Sequence, residues 1–161
     1  MPPLRTLVVP KHEPLIIVEK RLAYAERYDF IGAINGSQAI AGMTLTPSDR
    51  KGKDIAGVRR EIVNEWILNT LAPAINRLCI ENFYLLCDKS RAHNKRDMIE
   101  ALNAAGCRSV IGVCYMLTAS AKYVSPLDNP IGDSFKETIR SQHPLTTANL
   151  LSTLSKTFFY C

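Results

Sequence analysis

Asp88 closes the apolar run Leu85-Leu86-Cys87 and is followed by Lys89-Ser90-Arg91-Ala92-His93. In open α/β sheets ligands gather outside the carboxyl ends of parallel strands. A carboxylate placed there can bind a divalent cation, and a histidine five residues on can ligate it or orient a water. The same position suits a turn or a helix cap for Asp88, and a local hydrogen bond for His93. A second acidic group, Asp128, Asp133 and Glu137, lies around a helix start in the segment Ser125 to Arg140. The helix dipole favours carboxylates at such a start, so capping and solvation account for Glu137. Asp128 and Asp133 sit where the loop meets the cleft. Lys89, Arg91, Lys95 and Arg96 flank Asp88 and suit DNA phosphates; Lys122 and Tyr123 precede Ser125-Pro126 and suit the wall of a nucleic-acid groove. Arg50-Lys51-Gly52-Lys53, with Arg59-Arg60 beyond, is weaker evidence, since a solvated charged loop explains it as well.

The elements that must position these residues are legible from periodicity. Leu4 to Lys20 holds two short β-rich runs around Lys11-His12-Glu13 and reads as an edge hairpin. Tyr28–Ile34 and Gln38–Leu45 are strands joined across Asn35-Gly36, a strong hairpin signal. Thr46 to Lys53 reads as a polar loop. From about Ile55 to Leu71 the apolar positions recur at helical spacing, and Pro73 is expected to end or kink that helix. Phe83–Cys87 is a buried strand, Asn94–Ala105 a helix stopped by Gly106, and Val110–Cys114 another strand. Pro130 opens a helix to about Arg140, and Thr146–Lys156 forms the last. The expected architecture is one α/β domain, a mixed sheet with an antiparallel hairpin start and a parallel βαβ finish.

The chain has 161 residues, enough for one domain with a real core. No apolar run approaches the roughly 20 residues of a membrane span, and the N-terminus has no signal-peptide h-region. Five cysteines without a C-x-x-C pair read as reduced thiols in an intracellular protein, cytoplasmic or chromosome-associated. The net charge of +5 is compatible with a polyanionic partner and does not demand one.

The segment Cys87 to Lys95 resembles the mariner-type DDE transposase motif in which an aspartate ends a strand and a histidine follows five residues on. Ser125, Pro126, Asn129, Pro130, Ile131, Phe135 and Ile139 match that family's S-P-x-x-N-P-I-E-x-x-[FW]-x-x-[LI]-K signature, with Arg140 in the lysine's place. The resemblance runs from about Arg27 onward and implies an RNase H-like sheet with helices on both faces. It implies a DNA endonuclease in which three carboxylates hold two Mg²⁺ or Mn²⁺ ions. It carries the second aspartate onto Asp88. The expected glutamate position is Gly132, so Asp128, about one turn earlier, is favoured over Asp133, about 100° around the helix. Metal is thus expected at Asp88 and Asp128, with Asp133 the other catalytic candidate. The first aspartate is unassigned: Asp29 lies in the hairpin strand, where alternation could as easily expose it. The chain is expected to lack the first core strand and the family's N-terminal DNA-binding region.

The resulting expectation is a transposase-derived domain with an incomplete site. The alternatives are a non-catalytic remnant that binds nucleic acid or self-associates through an open sheet edge, as a homodimer, and an unrelated small-molecule-binding α/β protein.

Overall fold

The computed structural model describes residues 27–36, 38–117, 123, 125, 130–142 and 147–160. The expected hairpin within Leu4 to Lys20, and the candidate residues Asp128 and Lys122, lie outside them.

Strands β1 (Asp29–Asn35) and β2 (Gln38–Leu45) form an antiparallel hairpin, with Asn35 paired to Gln38 and Gly36 at φ +56°. A left-handed φ is uncommon for residues with a Cβ, which is why glycine stands there. The polar stretch expected as a loop instead forms a short helix, α1 (Pro47–Gly52). Its cause is a capping box: the Thr46 hydroxyl accepts from the Asp49 N–H, while the Asp49 carboxylate accepts from the Thr46 N–H.

The long helix starts later and ends later than its periodicity suggested. It runs as α2 (Arg60–Trp66), a π-helical turn (Ile67–Leu71) and α3 (Ala72–Arg77). Pro73 neither ends nor breaks it. Proline lacks the N–H that would bond one α-turn back, and the widened turn before it brings the Ala72 N–H onto the Ile67 carbonyl instead. Val63, Ile67, Leu71 and Ile75 are each at most 1% exposed. A spacing of four overshoots the α-helical turn of about 3.6 residues, and the π turn takes up that drift. This stripe is the spine of the core.

Strands β3 (Phe83–Cys87) and β4 (Val110–Tyr115) pair in parallel across helix α4 (Lys95–Ala104), the expected βαβ unit. Helices α5 (Pro130–Ser141) and α6 (Thr147–Tyr160) complete the described chain. The described residues thus form a mixed α/β fold in which the single mixed sheet expected from the sequence is instead two separate pairs, one antiparallel and one parallel.

One core joins the two pairs. Ala41 of β2 and Val113 of β4 belong to the same buried cluster as Trp66, Ile67, Leu71, Met98 and Leu102. On the hairpin's other face Gly32 and Gly42 pair across the strands, and Phe158 of α6 packs onto them. The hairpin is therefore covered on both faces. Among the described residues nothing covers the outer side of the β3–β4 pair, where Tyr84, Leu86 and Ile111 are more than half exposed. The register shifts between Phe83 and Tyr84, leaving Ile111 as the extra residue of β4, so that Val110 and Val113 both stay against the core.

Candidate functional site

The loop after β3 is built around His93. Its Nδ1 lies 2.8 Å from Asp88 Oδ1, 3.1 Å from the Asp88 carbonyl oxygen and 3.2 Å from Ser90 Oγ. A carboxylate and a carbonyl can only accept, so Nδ1 carries the proton in the neutral ring and Nε2 keeps the lone pair. The loop is held from both sides. The Tyr115 hydroxyl at the end of β4 donates to the His93 carbonyl at 2.7 Å and accepts from the Lys95 N–H at 3.1 Å. Asn94 caps α4, its side-chain oxygen accepting from the N–H groups of Arg96 and Asp97. The loop's start is tied as well, by the Met116 N–H donating to the Cys87 carbonyl.

Burial pushes the Cys87 thiol up to about 11, and the neighbouring charge of Asp88 adds to the shift. The thiol beside the site therefore stays neutral at neutral pH.

His93, Ser90 and Ala92 line a cavity of about 390 Å³. Its other walls come from Phe30, Ile31 and Gly32 of β1, from Val58 and Val63, and from Ile131, Gly132, Phe135 and Phe158. Phe30 packs against Phe135 and Phe158 at centroid distances of 5.3 and 4.8 Å. The lining thus combines these rings with the aliphatic Ile31, Val58 and Val63. The folded chain thus brings the segment after Asp88 and the first turn of α5 to one place, which the spacing of the two motifs could not establish.

The candidate residues divide on this geometry. Asp88 is about half exposed, with one carboxylate oxygen engaged by His93. Gly132 lines the cavity, whereas Asp133 is 75% exposed and lies 3.7 Å from Lys136. Lys89 and Arg91 are exposed on either side of Ser90. Lys95 lies over the Tyr115 ring, its Nζ 4.5 Å from the centroid, and Arg96 pairs with Glu100 at 2.9 Å. Among the described residues, no three His, Cys, Asp or Glu side chains converge as a metal-binding group.

Asp29 is buried, at 9% exposure, in contrast to the exposure that strand alternation left open. Arg27 Nε donates to one of its carboxylate oxygens at 2.6 Å and Arg50 to the other at 2.9 Å. Two guanidinium groups thus occupy both oxygens, and the carboxylate anchors α1 to the start of β1.

Sequence reasoning passed over three parts of this site. Tyr115 lies one residue beyond the expected strand Val110–Cys114, and its hydroxyl latches the His93 loop. Ser90 had no motif of its own, and the partnership of Phe30 with Phe135 and Phe158 spans most of the chain. No family model, curated protein or solved structure matches the chain.

Proposed function

We propose that the chain is a transposase-derived, RNase H-like domain that binds DNA along the Asp88–His93 loop and, as this chain, holds DNA without cutting it. The observation that carries this reading is the meeting of Gly132 with Ser90 and His93 in one cavity. The two segments that resemble the mariner-type motifs are brought together as a shared site would require. The position where the resemblance calls for a glutamate carries no side chain.

Strand cleavage by two metal ions needs several oxygen ligands to hold the cations and lower the pKa of the attacking water. At the described cleft the remaining donors are one oxygen of Asp88, Oγ of Ser90 and Nε2 of His93, and a single carboxylate does not fit a pair of Mg²⁺ or Mn²⁺ ions. Phosphate contacts have lighter requirements. Lys89 and Arg91 are exposed on either side of Ser90, which lines the cavity, and the chain carries a net charge of +5.

The test is a DNA-binding isotherm at several salt concentrations, with and without Mn²⁺, alongside a nicking assay on supercoiled plasmid. Binding that weakens steeply with salt, ignores Mn²⁺ and leaves the plasmid intact supports the reading. Mn²⁺-dependent nicking lost in Asp88→Asn replaces it with a working nuclease in which Asp128 or Asp133 completes the site. Absence of binding at low salt removes the DNA reading altogether.

One further observation favours self-association. Parallel strands are ordinarily covered on both faces, yet Tyr84, Leu86 and Ile111 leave an apolar outer face on β3–β4. A homodimer through this face would cover it.

A further inference from the structure

We infer that the cavity between β1, the Asp88–His93 loop and α5 receives one unpaired nucleobase of the bound DNA, an inference that rests on the DNA-binding reading above. The cavity lining is mostly apolar, combining the aromatic Phe30, Phe135 and Phe158 with the aliphatic Ile31, Val58 and Val63. A flat π system packs well against aromatic and aliphatic side chains alike. At about 390 Å³ the volume stands near the low end of small-ligand pockets, roughly 300–1,000 Å³. That leaves room for a base and its sugar.

The polar rim selects among flat groups. With Nδ1 held by Asp88 and Ser90, Nε2 of the neutral His93 ring keeps a lone pair that can accept from an exocyclic amino group or a ring N–H. Ser90 Oγ can donate or accept beside it. A nucleobase supplies such an edge, and a simple aromatic ring does not. The groups flanking a base in DNA are phosphates, and the residues flanking Ser90 are the exposed cations Lys89 and Arg91. Among the described residues, neither has a carboxylate partner. Stacking on aromatic side chains and cationic contact to the backbone together are the chemistry of single-strand recognition.

The experiment compares two single-stranded oligonucleotides of about 12 nucleotides, within the range of single-strand binding sites. One carries 2-aminopurine at its centre and the other an abasic sugar. The full chain is titrated into each at low salt, read by anisotropy of an end label and by 2-aminopurine emission. The expected result is about tenfold weaker binding of the abasic strand, with 2-aminopurine emission changing in step with saturation. Ala92→Phe, which fills the cavity, is expected to erase both the preference and the emission change. His93→Gln, at the rim, serves as the second variant and is expected to reduce the preference. Equal binding of the two strands by the wild type would overturn the nucleobase site and leave the DNA reading standing. A preference that survives in folded Ala92→Phe would overturn it equally. Failure to bind either strand would overturn both proposals.

Discussion

The Phe158 ring stands where position 32 would place any side chain: a Cβ on Gly32 would lie 2.6 Å from Phe158 Cζ and 2.9 Å from Cε2. Position 42, paired across the hairpin, is crowded by the same ring, at 3.0 Å. A pair of glycines in two facing strands thus makes the seat that docks α6 on the sheet. The same ring helps wall the cavity.

Gly32→Ala tests that seat. In an ordinary strand the exchange would gain about 0.5–1 kcal/mol from the unfolded chain. Here overpacking against Phe158 and Phe30 is expected to cost about 1–3 kcal/mol. Urea unfolding should show a lower midpoint, and Gly32→Ala with Phe158→Leu should recover part of the loss. Equal stability of Gly32→Ala and wild type would show that Phe158 is free to withdraw.

Asp29 carries an asymmetric pair of partners. The Arg27 side chain is 67% exposed, so losing it should change stability by less than about 1 kcal/mol. Arg50 is 14% exposed and is left as an uncompensated charge when Asp29 becomes Asn. That change is expected to cost about 3 kcal/mol. Thermal unfolding of Arg27→Ala and Asp29→Asn side by side measures the contrast, and equal small effects would refute the burial argument.

Cys87 sets an alkaline limit. Its folded pKa is raised from 9.0 to about 11, by burial first and Asp88 second, so the unfolded chain loses this proton at lower pH than the folded one. The stabilising contribution is present below about pH 9 and is lost as pH rises towards 11. In alkylation at pH 9 the exposed Cys79 should react well before Cys87. Cys87→Ala should flatten the stability profile between those limits. Rapid labelling of native Cys87 would contradict the shift.

Tyr115→Phe removes the hydroxyl that bonds both the His93 carbonyl and the Lys95 N–H. The expected loss is about 1–2 kcal/mol, since a partly buried carbonyl is left without its donor. Amide exchange of Lys95 and the neighbouring His93 should accelerate more than that of β1. Unchanged exchange there would mean the hydroxyl does not hold the loop.

The open face of β3–β4 gives the last prediction. Leu86 is 57% exposed, so Leu86→Lys should leave stability within about 0.5 kcal/mol, as an ordinary surface change does. If the face mediates a homodimer, sedimentation should shift from dimer to monomer in this variant. A wild type that stays monomeric at high concentration would dismiss the interface.

By itself the sequence determined the features that a few neighbouring residues encode. The β3–α4–β4 unit follows from two short apolar runs around an amphipathic stretch, closed by Asn94 at one end and Gly106 at the other. The hairpin follows from Gly36, and the place of Asp88 from the end of its strand. Thr46 and Asp49 encode α1 equally locally, three residues apart, within a stretch of polar loop composition.

Tertiary structure alone decided what covers each face. Alternation gives a strand two faces without naming the buried one, so Asp29 could be placed only when Arg50 arrived from α1. Likewise Gly32 had no visible purpose until Phe158, at the far end of the chain, came to rest on it. The cavity that unites Ser90 and His93 with Gly132 is of the same kind. Local periodicity is fixed by backbone geometry over a few residues, whereas burial and the meeting of distant side chains depend on how whole elements pack.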